Sequence, residues 1–170
     1  TRDGILTVCR QMGADITLLN PSSESGEPTA DLLVRHSALH GTVIEGAVIP
    51  TLIDELPMIA AMACFADGET VIRDAAELKV KESNRIAVMT DSLKAMGADV
   101  EETEDGMIIH GGKPLHGAVI DSHDDHRIAM MAAVATTRAA APVTIRGAES
   151  VRKSYPNFWE DYQRLGGMFL

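Results

Sequence analysis

The sequence predicts an α/β protein built from two copies of one unit, with buried apolar helices surrounded by sheets. Three observations carry this. A helix–glycine–strand signature occurs twice, two uniformly apolar helices each begin at an acid, and strand-like and helix-like segments interleave from end to end.

Residues 6–19, LTVCRQMGADITLL, space their apolar side chains as an amphipathic helix that ends near Gly13 and gives way to a strand. Residues 90–103, TDSLKAMGADVEET, read the same way and keep Met-Gly-Ala-Asp unchanged. Each glycine falls where a helix terminates in a positive-φ residue, which glycine adopts without steric cost. A strand pair follows in each copy, within ADLLVRHSALHGTVIEG and DGMIIHGGKPLHGAVID, sharing Leu-His-Gly. Next comes an apolar helix led by an acid, DELPMIAAMACFA from Asp54 and DHRIAMMAAVATT from Asp125, closed by the strands of GETVIRDA and APVTIRGA. The copies cover about residues 4–75 and 86–148, with a longer Ser-, Pro- and Gly-rich loop at 20–27 in the first, and a loop and helix at 149–170 follow.

The helices expected at 56–66 and 128–137 are apolar on every face and should be buried all round. The helix expected at 81–96 carries one stripe, Ile86, Met89, Leu93 and Met96, and should lie on a sheet. Phe158, Trp159, Tyr162 and Leu165 recur at helical spacing before Gly166-Gly167, an expected packing stripe.

Composition excludes several functions. With 45% apolar residues over 170 positions the chain has a core, and no apolar run approaches the ~18 residues of a membrane span. A net charge of −10 argues against a general nucleic-acid surface. Cys9 and Cys64 form no disulfide framework and read as core filler in a reducing, cytoplasmic compartment. The start, Thr1-Arg2-Asp3-Gly4, has neither Met nor a signal-peptide pattern, so a fragment is expected.

Cations nevertheless gather in three segments, Lys79, Lys81 and Arg85, then Arg127, then Arg152 and Lys153, as a site for a small anion would require. Asp54 and Asp125 stand at helix mouths, where unpaired N–H groups and the positive dipole end favour anions, or where each acid is simply an N-cap. DSHDDHRIAM adds His123, Asp124, His126 and Arg127, more polar chemistry than a cap needs. The histidine spacing matches no metal-ligand pattern, and Arg127 would oppose a cation, so no metal is expected; its guanidinium fork suits a carboxylate or phosphate. In ELKVKESNRIAVM, the helical spacing of Lys81, Glu82 and Arg85 would put all three on one face, either as a solvated ion pair or around an anion. Glu82 would then edge the apolar stripe, where partial desolvation suits proton transfer. Arg152 and Lys153 are expected on a loop stiffened by Pro156. His36, His40, His110 and His116 read as structural residues in strand regions.

Together, Lys81-Glu82-Ser83-Asn84-Arg85, Asp125-His126-Arg127 and Lys153-Ser154-Tyr155-Pro156 resemble three boxes of the 3-phosphoshikimate 1-carboxyvinyltransferase (EPSP synthase) family of enolpyruvyl transferases, and Asp54 stands where that family has its catalytic aspartate. The resemblance covers essentially the whole chain and implies an inverted α/β barrel. It implies transfer of the enolpyruvyl group of phosphoenolpyruvate to the 5-hydroxyl of shikimate 3-phosphate, in the shikimate pathway, with no cofactor. It assigns Asp54 and Glu82 to proton transfer. It gives Asp54, Lys81, Arg85, Asp125, His126, Arg127 and Lys153 to substrate binding, with Arg85, Arg127 and Lys153 on phosphoenolpyruvate and Asp125 positioning Arg127. Asn84 and Tyr155 depart from the family's usual Asp and Phe. The family has three units in each of two domains and this chain has two units. The resemblance therefore implies a partial domain, inactive alone, whose partner is the N-terminal half of the same polypeptide in a monomeric enzyme. Alternatives are the related transferase acting on UDP-N-acetylglucosamine and a non-catalytic binding module of the same fold.

Overall fold

The computed structural model describes residues 2–24 and 26–169. The first copy opens with α1 (Gly4–Gln11), followed by the antiparallel hairpin β1 (Asp15–Ser22) and β2 (Thr29–Arg35). After it come β3 (Val43–Ile44), a 3-10 segment (Gly46–Thr51), α2 (Leu56–Ala63), β4 (Glu69–Ile72) and a 3-10 turn (Ala76–Val80). The second copy repeats that order with α3 (Arg85–Ala95), the hairpin β5 (Asp99–Glu102) and β6 (Met107–His110), β7 (Val119–Asp121), α4 (His126–Thr136), β8 (Thr144–Arg146) and a 3-10 segment (Ala148–Lys153). Helix α5 (Phe158–Arg164) ends the chain.

Topology confirms the repeat. In each copy the first two strands pair antiparallel and the last two, β3 with β4 and β7 with β8, pair parallel across the apolar helix between them. The copies join through antiparallel pairing of β4 with β6, giving one sheet in the order β3-β4-β6-β5. The duplicated Leu-His-Gly does the same work twice. His40 N–H donates to the Met12 carbonyl and His116 N–H to that of Met96, laying each imidazole against the positive-φ glycine that ends the preceding helix, Gly13 or Gly97. The expectation of structural histidines holds for these two, though as helix-end covers rather than strand residues.

The core lies between the helices. Every apolar residue of α4 from Ile128 to Ala133 is buried, α2 packs against α4, and Ile86, Met89, Leu93 and Met96 are fully buried beneath α3. Cys9 and Cys64 are both buried and unpaired, and burial pushes the Cys64 thiol up to about 12. Phe158, Trp159 and Tyr162 seat α5 against α4 as expected, with the Trp159 indole donating to the Ala148 carbonyl. Leu165 does not join them: it lies past the helix end, 90% exposed. The hairpin β1–β2 is exposed along nearly its whole length, Leu18, Leu32 and Val34 included. No helix among the described residues is long and apolar enough to cross a membrane.

Candidate active site

Four chain segments converge where α2, α3 and α4 begin, and three of them differ locally from expectation. Asp54 does not cap α2. It lies in the turn before it, Glu55 occupies the cap position without a side-chain hydrogen bond, and Pro57 sits in the first turn, where a missing N–H costs nothing. Freed from capping, Asp54 accepts from Arg2 Nη2 at 2.5 Å and from Arg85 Nη1 at 3.2 Å, with Arg127 Nη2 at 3.8 Å. Burial would raise its carboxyl, but the Arg2 hydrogen bond and the charges of Arg127, Arg2 and Lys81 outweigh it and hold the group below the ordinary carboxylate range.

Lys81 and Glu82 do not lie on α3. The Asn84 side chain accepts the Ala87 N–H and starts the helix there, as a short polar side chain at a cap position does, so Lys81 and Glu82 stay in an irregular segment. Glu82 is therefore not tucked against the apolar stripe; its half-exposed carboxylate takes Arg85 Nη2 at 2.5 Å. Lys81 turns back to Glu77 at 2.6 Å instead of facing Arg85 across an anion.

Asp125 is the one expected acid that caps its helix, accepting the Arg127 N–H at 2.9 Å. It also accepts from Arg85 Nε at 2.9 Å, Arg85 Nη2 at 3.3 Å and Ser83 Oγ at 2.9 Å, and it is 0% exposed. Burial alone would raise its carboxyl; the Arg85 hydrogen bonds and charge, with help from Ser83 and the Arg127 N–H, reverse that and hold it low. Asp125 thus grips the Arg127 backbone and the Arg85 side chain rather than the Arg127 guanidinium. With every lone-pair direction taken it has none left for a substrate.

The cations divide accordingly. Arg85, with its side chain only 2% exposed, is held by three carboxylates, those of Asp125, Asp54 and Glu82. Arg127 has Asp54 and Glu55 only at 3.8 and 3.6 Å, and its Nε is buried without a hydrogen-bond partner. A guanidinium so placed is ready to grip an incoming carboxylate or phosphate. It lines a cavity of about 160 Å³ with Ile5, Asp54, Glu55, Pro57, Met58 and Met130. His126, 93% buried by its 7% exposure and with Nδ1 unpartnered, is driven toward the neutral form by desolvation and by Arg127. Lys153 sits on the 3-10 segment rather than a loop and donates to the Asp124 carbonyl at 2.6 Å and carboxylate at 2.7 Å.

The structure therefore brings Asp54, Glu82, Arg85, Asp125 and Arg127 into one network, with His126 beside it, while Lys81 and Lys153 flank it on separate pairs. Ser83 and Glu55 also take part, and Asp124 holds Lys153 at its side. In the sequence Ser83 stood out only as a member of its box and Glu55 only as the neighbour of Asp54, whereas Asp124 was already among the polar residues marked at the mouth of α4. Among the described residues no group of three or more His, Cys, Asp and Glu side chains is arranged to hold a metal.

The duplicated unit, with buried helices and a carboxylate–guanidinium cluster at their mouths, has counterparts among solved enolpyruvyl transferases. Its fold matches EPSP synthase from Acinetobacter baumannii with a TM-score of 0.93 at 45% identity, over 97% of this chain and 39% of that one. The enolpyruvyl transferase NikO from Streptomyces tendae shares the fold at a TM-score of 0.75 and 18% identity. Residues 1–162 match the family described as EPSP synthase (3-phosphoshikimate 1-carboxyvinyltransferase), and the chain belongs to that family. It is 55% identical to the 3-phosphoshikimate 1-carboxyvinyltransferase of Roseiflexus castenholzii and 53% identical to that of Acaryochloris marina, over 97% of its own length in each case. The chain spans 38% and 37% of the length of these relatives.

Proposed function

We propose that this chain supplies one wall of an active site that transfers the enolpyruvyl group of phosphoenolpyruvate to the 5-hydroxyl of shikimate 3-phosphate, releasing phosphate. The observation that carries the reading is the unequal state of the two guanidiniums: four of the five N–H donors of buried Arg85 are engaged by carboxylates, while the partly exposed Arg127 has carboxylates only at 3.6 and 3.8 Å and an unpartnered Nε. In this reading Arg127 holds the carboxylate of phosphoenolpyruvate, with Lys153 and Lys81 leaving Asp124 and Glu77 to meet phosphate oxygens. Asp54 and Glu82 lie on either side of Arg85 and serve the two proton transfers, one from the attacking hydroxyl and one to the methylene carbon. Neutral His126 can donate a hydrogen bond at the helix mouth without adding charge. Asp125 is withdrawn from the substrate contacts and given a supporting role.

The remaining contacts to shikimate 3-phosphate are assigned to the part of the relatives that this chain does not span. The same division accounts for the exposed hairpin. In the shared sheet, a hairpin of one unit pairs with the parallel strands of the previous one through β4 and β6. By that rule β2 and β8 each await a partner from a third unit, making residues 2–169 two thirds of one domain. Two buried, unpaired cysteines fit a reducing cytoplasm.

The test is a chimera in which the matched segment of the R. castenholzii relative is replaced by this chain. The expected result is enolpyruvyl transfer to shikimate 3-phosphate, with none to UDP-N-acetylglucosamine, and a loss of at least about 100-fold in kcat on Glu82→Gln or Asp54→Asn. A folded chimera that prefers UDP-N-acetylglucosamine, or that is indifferent to both substitutions, would overturn the assignment.

A further inference from the structure

We infer that Arg85 spaces the two proton-transferring carboxylates, and that Ser83 and Asp125 are the positioning residues that set it; this rests on the roles proposed for Asp54 and Glu82. A guanidinium is a rigid planar fork, so fixing one edge fixes the direction of every other N–H. Asp125 fixes the Nε edge, at 2.9 Å to Nε and 3.3 Å to Nη2. The remaining N–H groups then have no choice of direction: Nη1 meets Asp54 and Nη2 meets Glu82. Separation of the two carboxylates is thus set by the width of one side chain.

The fork is anchored from behind. Asp125 is fully buried and belongs to a turn in which His123 and Asp124 hold φ values of +51° and +57°, conformations that non-glycine residues keep only where the surroundings impose them. Asp121 accepts the His123 N–H at 2.8 Å and Asp125 N–H donates to the Ser122 carbonyl at 2.9 Å, which closes the turn. Ser83 links this anchor to Glu82 itself. Glu82 lies in irregular chain before α3, without a helical ladder to place it, and its neighbour Ser83 donates to Asp125 Oδ2 at 2.9 Å. The segment carrying one carboxylate is therefore tied to the mouth of α4 twice, by the Ser83 hydroxyl and through Arg85, and Arg85 ties the same anchor to Asp54.

The experiment is side-chain NMR of the isotopically labelled chain, comparing the parent with Ser83→Ala, Ser83→Thr and Asp125→Asn. In the parent, the Arg85 Nε–Hε signal should exchange slowly with water and the couplings of Glu82 should report one rotamer. Ser83→Ala should leave the backbone spectrum folded, speed Hε exchange about tenfold, as loss of a hydrogen bond to a charged group implies, and average the Glu82 rotamers. Ser83→Thr should restore both signals. Unchanged Arg85 and Glu82 signals in Ser83→Ala would overturn the inference, and that variant decides even where Asp125→Asn unfolds the chain. Activity of a Glu82→Gln chimera would instead overturn the underlying assignment of roles, independently of these spectra.

Discussion

Replacing Asp125 by Ala should be among the most destabilising single changes in this chain, and the structure gives the magnitude. The substitution removes four hydrogen bonds at once, from Arg85 Nε, Arg85 Nη2, Ser83 Oγ and the Arg127 N–H. It leaves the Arg85 guanidinium 2% exposed beside an empty space. Breaking a buried pair by deleting one partner costs about 3–5 kcal/mol, which at about 1.4 kcal/mol per tenfold is roughly two to three and a half powers of ten in the folded-to-unfolded ratio. Against the usual stability of about 5–15 kcal/mol, that is a large fraction. Most of the penalty falls on the buried Arg85 Nε, which loses its acceptor while Asp54 and Glu82 still hold the Nη groups, so Asp125→Ala combined with Arg85→Met should recover much of it. Urea unfolding followed by circular dichroism measures both, with the slope against urea unchanged. The acid limb adds a sign. Because the folded carboxyl of Asp125 is held low, its contribution is fully present above about pH 3.9 and is lost as pH falls through the folded value. A loss under about 1 kcal/mol in the single variant, or simple additivity in the double, would refute the view that this pair is the anchor of the cluster.

Other outcomes follow from the same geometry. Gly97→Ala should destabilise by more than the ~1 kcal/mol of a left-handed alanine, because its Cβ would stand 2.6 Å from His116 Cδ2; Gly13→Ala, with His40 at 3.2 Å, should cost less, and paired urea curves compare them. The Cys64 thiol, pushed up to about 12 by burial, should resist iodoacetamide at pH 8 until the chain is unfolded, as mass spectrometry would show. His126 is depressed below its ordinary value, so the unfolded chain binds the extra proton first. Stability should fall as pH drops from about 6.5 through the folded value, and His126→Asn should remove that slope in urea titrations at stepped pH.

The repeat was legible because both copies kept the residues with strict backbone demands. Gly13 and Gly97 end their helices with positive φ, and the Leu-His-Gly that covers each end recurs with them. The buried helices were legible because α2 and α4 have no polar face to offer water. Side-chain direction was not. The spacing of Lys81, Glu82 and Arg85 fits a helix, but Asn84 starts α3 three residues later than Lys81, and a cap decides which residues share a face. The pairing of Asp125 with Arg85 spans 40 positions and leaves no local trace. Sequence marked both residues as charged and close to a ligand; only the fold shows one neutralising the other, and so leaving Arg127 with carboxylates no nearer than 3.6 Å.

The claim that this cluster is organised around an anion is tested most directly by titrating the labelled chain with phosphoenolpyruvate. The expected result is saturable movement of the Arg127 side-chain and His126 signals in the millimolar range, about 4 kcal/mol of binding, with Arg85 little changed and the response abolished by Arg127→Met. Shifts that centre on Arg85, or that survive unaltered in Arg127→Met, would contradict the account.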